Sequence, residues 1–89
     1  MGTHRVVATS RPSNEQVELV TALLTGALAV LAREATRKGA TEKDVRALIA
    51  DEHAAITEAL YGQPTTESRA RMVARAVEVV GCRVEVVPC

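Results

Sequence analysis

Aromatic side chains are nearly absent from this chain of 89 residues: Tyr61 is the single one, and there is no tryptophan or phenylalanine. The hydrophobic content of 47% therefore comes mainly from Ala, Val and Leu. These residues pack closely in helices but bury little area each. Because a domain this small has a marginal core, we expect a second copy of the chain to supply the missing apolar surface by forming a homodimer.

A surplus of either charge is missing too, because eleven basic side chains balance eleven acidic ones. A protein that holds DNA by electrostatic attraction alone usually carries a basic surplus on one face. The balance therefore counts against a purely electrostatic role in nucleic-acid binding.

Cysteine is scarce, and the two that are present, Cys82 and Cys89, both lie near the C-terminal end. If the segment between them is extended, the two residues are about 23 Å apart, whereas a disulfide needs Cα atoms within about 7 Å of each other. We therefore expect two free thiols in a reducing cytosol.

The sequence also lacks the residue patterns that enzymes use. Its two histidines, His4 and His53, are far apart along the chain. It contains no glycine-rich phosphate loop, no paired-carboxylate motif and no metal-ligand spacing. We expect no enzyme, no catalytic residue, no cofactor and no metal site.

Long hydrophobic runs are missing as well. The longest uncharged segment, Leu19 to Ala32, has 14 residues, and a membrane-spanning helix needs about 18. The first ten residues, MGTHRVVATS, lack the apolar core of a signal peptide. We expect a soluble cytoplasmic protein that has no membrane partner.

What is present is a series of well-marked helix ends. Ser13 and Gln16 form a capping-box pattern at the start of a first helix, and Gly39 marks its end. This helix is long for so small a domain, and the alternative is a break near residues 25–26. Residues 1–12 before it form either an N-terminal arm or a short strand, and residues 13–89 form a single domain.

The apolar residues of this first helix form two faces. The face expected to pack on the rest of the domain consists of Val17, Val20, Leu24, Leu28, Leu31 and Ala35. Leu19, Leu23 and Val30 lie on a different face, and contact with a symmetry-related copy is the simplest way to cover them.

The stretch from Thr41 to Gly62 has the pattern of two short helices separated by a tight turn. Thr41 is a good N-cap for the first helix, with Asp44 three residues later, and Asp51 is a candidate cap for the second. Two short helices with a tight turn between them form the helix-turn-helix motif.

A further helix is expected to begin after Thr65 or Thr66 and to end at Gly81. Residues 82–87 then alternate apolar and charged side chains, which predicts a strand that Pro88 stops. A strand needs a neighbour. It pairs with residues 4–8, with the same strand of a second copy, or with both.

The order of these elements resembles the Cro and lambda-repressor type of helix-turn-helix domain, often called Xre-like. The matching segments are ALAVLAREATRKGAT, TEKDVRALIA, DEHAAITEALYG and VARAVEVVGCRVEVV, which together cover about two-thirds of the chain. The resemblance is closest to the small phage-regulator and antitoxin-like members. It implies a mainly α fold of four to five helices with a C-terminal β-strand, in a dimer.

The same resemblance implies a recognition helix at about residues 52–60. The residues placed against base edges are Glu52, His53, Ala54 and Thr57. Phosphate contacts are expected from Lys43, Arg46, Arg69, Arg71 and Arg75. The alternative is that residues 52–57 are the solvated face of an exposed helix.

The charge of the motif departs from the family pattern. Between Thr41 and Gly62 there are two basic and five acidic residues, a net charge of minus three. Acidic side chains seldom dominate a helix that enters the major groove. In particular, Glu42, Asp51 and Glu58 stand where the family commonly has Gln, an apolar residue and a basic residue.

Two functions follow from these observations. One is a homodimeric DNA-binding transcriptional regulator with double-stranded DNA as its partner. The other is a protein-interaction module, such as a phage-encoded inhibitor or an antitoxin-like binder, which keeps the scaffold but binds a protein instead of DNA. The dimer interface is expected on the first helix, at Leu19, Leu23 and Val30, or on the terminal strand, at Val84 and Val86.

Overall fold

A computed structural model describes residues 2–10 and 12–89 of the chain. Their elements, in chain order, are β1 (His4–Ala8), α1 (Asn14–Arg37), α2 (Glu42–Leu60), α3 (Glu67–Val79) and β2 (Val84–Pro88). The mainly helical character of the fold is confirmed, as is the strand near the C-terminal end. The described residues form three helices, so the expectation of four to five helices is wrong. Of the predicted arm at residues 1–12, positions 1 and 11 lie outside the described residues.

The predicted turn at Asp51 is absent, because residues 42–60, all described, form one uninterrupted helix. Nothing in the local sequence ends that helix: neither glycine nor proline occurs between Thr41 and Gly62. An exposed Asp in a helix interior costs only a few tenths of a kcal/mol relative to Ala. The helix-turn-helix interpretation of this segment is therefore wrong, and the segment is the second arm of an α1–α2 hairpin.

The helix ends were predicted more accurately than the helix count. The Ser13 hydroxyl accepts a hydrogen bond from the Gln16 backbone N–H at 3.2 Å, and the Ser13 backbone N–H donates to Oε1 of the Gln16 side chain at 2.8 Å. Thr41 and Thr66 cap α2 and α3 in the same way through their hydroxyls. Helix α1 continues through residues 25–26 without a break.

Helix α3 is the centre of the fold, since it contacts both other helices and both strands. Small residues allow this: Ala70 and Val73 are completely buried, and Ala74 and Ala76 lie beside them in the core. Helices α1 and α2 contribute one stripe each. The buried residues of those stripes are Val20, Leu24, Leu28, Ile56 and Ala59.

The two strands form an antiparallel pair in which Val6 lies opposite Val86 and Ala8 opposite Val84. This confirms one of the predicted pairings, that of the terminal strand with residues 4–8. Pro88 is the last residue of β2 and does not stop the strand before it. Both cysteines lie in the described part of the chain and are free, Cys82 in the core and Cys89 at the surface.

The described part of the chain is flat, with principal extents of 41 × 29 × 15 Å. A thickness of 15 Å leaves little room for a helix to be covered on two sides. One face of each helix therefore stays open, and the open face of α1 carries the exposed Leu19, Leu23 and Val30.

Candidate interaction surfaces

The open face of α1 carries large apolar side chains that the described residues leave about half exposed. Leu19, Leu23 and Val30 are 56%, 45% and 58% exposed. With Ala22 and Gly26 between them, they form a stripe at helical spacing, which we call the α1 outer face. It lies on the side of the helix opposite the buried Val20, Leu24 and Leu28.

Gly26 stands in the middle of the α1 outer face. A glycine inside a helix costs about 0.5–1 kcal/mol relative to alanine. No neighbour in the chain requires it, because a Cβ atom built at Gly26 meets nothing within 4 Å. The residue therefore leaves a shallow depression in an otherwise apolar stripe, where another backbone is able to approach closely.

Charges mark the two ends of this face with opposite signs. Glu15 lies one turn before Leu19, and Arg33 and Arg37 follow Val30 on the same side of the helix. Arg37 has an exposed partner, Glu34, at 3.0 Å. The face thus runs from an acidic end through an apolar middle to a basic end.

Helix α1 is also long and apolar enough to cross a membrane, judged by length and composition alone. Its most apolar stretch of 18 residues has a mean hydropathy of 1.5, and 17% of that stretch is buried. The buried share is the one that packs on α2 and α3. The rest includes the α1 outer face and partly buried residues such as Ala27 and Ala32.

The structure separates Glu52 from the other residues that were expected to contact DNA bases. Glu52 is half-buried and accepts hydrogen bonds from Arg69, with Nη2 to Oε1 at 2.7 Å and Nε to Oε2 at 3.4 Å. His53, Ala54 and Thr57 are exposed, and the Thr57 hydroxyl donates to the backbone carbonyl of His53 at 2.8 Å. Because α2 is continuous, these residues lie along the side of a long helix and not at the start of a short one.

Most of the expected phosphate contacts are occupied by carboxylates of the same chain. Arg46 pairs with Glu42 at 2.6 Å, and Arg71 pairs with Glu67 at 2.8 Å. Lys43 is exposed near the start of α2, far along the chain from Arg75 on α3. Apart from the Arg69 pair, these contacts lie at the surface, where such pairs contribute little to stability.

A polar network that the sequence did not suggest ties α3 to α2 and to the loop between them. Arg69 donates to Glu52 and, through Nη1, to the hydroxyl of Thr65 at 3.0 Å. Thr65 is buried, and its backbone exchanges hydrogen bonds with His4. The network therefore reaches β1, and its role is structural.

Glu67 is an exposed residue whose carboxyl has a lowered pKa. Arg71 lowers the pKa of Glu67 below its ordinary value of 4.5, mainly by donating hydrogen bonds and also by its charge, and the charge of His4 adds to this. Glu67 lies in the first turn of α3, where a negative charge is favourable. The described residues contain no group of three or more His, Cys, Asp or Glu side chains arranged to hold a metal ion.

Val84 and Val86, the strand residues expected in a dimer interface, are half-buried and pack against the core of their own chain. The edge of β2 that does not pair with β1 exposes its backbone.

No protein-family model, curated protein or solved structure matches the chain. The function is therefore inferred from the surfaces of the chain itself.

Proposed function

We propose that the chain is a protein-interaction module that assembles as a homodimer through the α1 outer face. The observation that carries this proposal is the exposure of Leu19, Leu23 and Val30 on one side of a 24-residue helix. Contiguous apolar patches on a soluble protein mark sites of association. An aromatic-poor core as thin as this one gains most from such a partner.

The second copy is the partner that fits the charges of the face. When two such helices cross antiparallel about a two-fold axis near Gly26, the acidic end of each lies beside the basic end of the other. Glu15 then faces Arg37 of the second copy, because both lie eleven residues from the axis. A parallel arrangement places like charges together at both ends.

The small residues favour the same arrangement. Gly26 and Ala22 near the axis allow the two backbones to approach closely, and Leu23 of one copy then packs beside Val30 of the other. This contact covers Leu23 and Val30 of both copies, four large apolar side chains, each worth up to about 1.5–3 kcal/mol when fully buried. Leu19 then lies level with Arg33 of the second copy. The gain compensates for the glycine in the helix interior.

A lipid environment suits the α1 outer face less well. The opposite side of the same helix is in the protein core through Val20, Leu24 and Leu28. Helix α2 packs along it and carries exposed charges such as Asp44 and Asp51. Insertion of α1 into a bilayer requires either dismantling that packing or burying those charges in hydrocarbon, both of which are costly.

The test is sedimentation velocity over a range of protein concentrations. The wild-type chain is expected to sediment as a dimer, and Leu23→Glu as a monomer with an unchanged circular dichroism spectrum. Val79→Glu is the matched control, since Val79 on α3 is 67% exposed but lies outside the α1 outer face; it is expected to remain dimeric. A monomeric wild type, or two variants that behave alike, contradicts the proposal.

A further inference from the structure

Among the described residues, the backbone groups on the outer edge of β2 have no hydrogen-bond partner. The Thr9 N–H donates to the Arg83 carbonyl, and the Cys89 N–H donates to the Thr3 carbonyl, each at 2.9 Å. Backbone groups alternate in direction along a strand. Arg83, Glu85, Val87 and Cys89 therefore face β1, while the N–H and C=O groups of Val84 and Val86 face away from it.

An open groove of about 870 Å³ runs beside this edge, between β2 and α3. Its apolar lining comes from Met72, Val79 and Val86, and charged side chains of α3 form its rim. Among the described elements, β2 contacts only β1 and α3. The groove is thus separate from the α1 outer face, and a ligand in it does not depend on the proposed dimer.

The rim carries charges of both signs. Arg71 and Arg75 line the groove with Glu78 as the acidic residue. Arg71 already pairs with Glu67, whereas Arg75 forms no ion pair within the described part of the chain. A carboxylate brought along the edge therefore finds Arg75 available.

Pairing of this edge with its own copy is disfavoured in two antiparallel registers, those with the two-fold axis at Glu85 or at Val86. A two-fold axis at Glu85 places that carboxylate directly opposite itself, which is destabilising. An axis at Val86 pairs Val84 with Pro88, which has no N–H to donate. The second register also brings Arg75, which lines the same groove as Val86, towards its own copy.

We propose that the outer edge of β2 docks an extended acidic segment of a partner protein, which adds a third strand to the sheet. The backbone of the segment exchanges hydrogen bonds with Val84 and Val86. Alternate side chains point into the groove, where an acidic one meets Arg75 and an apolar one packs against Met72 and Val79.

The test uses two acetylated, amidated hexapeptides in which every second residue is Thr, so that the residues between them share one face of the strand. Those residues are Val, Glu and Val in the acidic peptide and Val, Lys and Val in the basic one, and each peptide is titrated into the ¹⁵N-labelled chain. The acidic peptide is expected to shift the amide signals of Val84 and Val86 in a saturable way, and the basic peptide is expected to bind at least fivefold more weakly. Arg75→Glu is expected to reverse that preference. Arg46→Glu, an exposed charge reversal on α2, is the matched control and is expected to keep it.

Three results overturn the proposal. In the first, neither peptide moves the Val84 and Val86 signals. In the second, both peptides bind equally well to the wild type and to Arg75→Glu, so that charge plays no part. In the third, the same amide signals shift with protein concentration when no peptide is present, which shows that the edge pairs with a second copy.

Discussion

Arg69 of α3 holds Glu52 of α2 in a two-bond contact, with the shorter bond at 2.7 Å and both side chains less than a quarter exposed. The same guanidinium donates to the buried hydroxyl of Thr65. One cation thus connects two helices and the loop between them. Glu52, which the resemblance placed against a DNA base, is occupied within its own fold.

Arg69→Ala is therefore expected to destabilise the chain by about 1–3 kcal/mol, because it leaves a half-buried carboxylate and a buried hydroxyl without their partner. Urea unfolding followed by circular dichroism measures the loss. Arg71→Ala is the control on the same helix, since its pair with Glu67 lies at the surface. We expect a clearly smaller loss there; equal losses for the two variants are incompatible with a structural role for the Arg69 contact.

Asp51→Ala distinguishes one long helix from two short ones. If Asp51 lies inside α2, as the structure has it, alanine is the better helix former and the free energy of unfolding rises by up to about 0.6 kcal/mol. If Asp51 capped a second helix, its loss costs about 1 kcal/mol. Thr41→Ala, at the observed N-cap, is expected to show that cost in the same unfolding experiment.

The carboxyl of Glu67 is expected to titrate below its ordinary pKa of 4.5. Because the folded pKa is lower than the unfolded one, the stabilisation is fully present above the unfolded pKa and is lost as the pH falls through the folded pKa. An NMR titration of the side-chain carboxyl measures this. Arg71→Gln is expected to move the Glu67 pKa back up, while Arg46→Gln, which touches a different carboxylate, is expected to leave it unchanged.

DNA binding stays a prediction of the sequence, and the structure weakens its basis. The helix-turn-helix interpretation placed the start of a short helix in the major groove of DNA. No helix starts at Glu52, because α2 is continuous from Glu42 to Leu60. We expect no mobility shift of duplex DNA at low salt. A shift that weakens steeply with added salt, and that is lost in His53→Ala, restores the regulator hypothesis in place of the interaction module.

The local features of this fold were accessible from the sequence because single side chains decide them. Ser13, Thr41 and Thr66 each satisfy a backbone N–H at a helix start, and that chemistry depends on residues three positions away. The two faces of α1 followed from spacing alone, except that Leu31, which was expected on the packed face, is 38% exposed. These predictions needed no knowledge of what the helices pack against.

The break at Asp51 was predicted wrongly because a good capping residue is also tolerated inside a helix. The apolar spacing was the better signal. Val45 and Ile49 before Asp51 and Ile56 after it lie on the same face of one continuous helix. The same spacing places Glu52 on the inner side of α2. Its contact with Arg69, by contrast, depends on how α3 packs on α2, which no local pattern specifies.

Disulfide trapping tests the antiparallel α1 dimer most directly. In a Cys89→Ser background, which removes the exposed native thiol, Gly26→Cys is expected to cross-link rapidly to its own copy on mild oxidation, because the proposed arrangement puts Gly26 at the two-fold axis. Leu19→Cys, seven residues away, places its two thiols about 21 Å apart and is expected to stay uncross-linked. Rapid cross-linking at both positions contradicts the antiparallel arrangement, and cross-linking at neither contradicts the α1 interface itself.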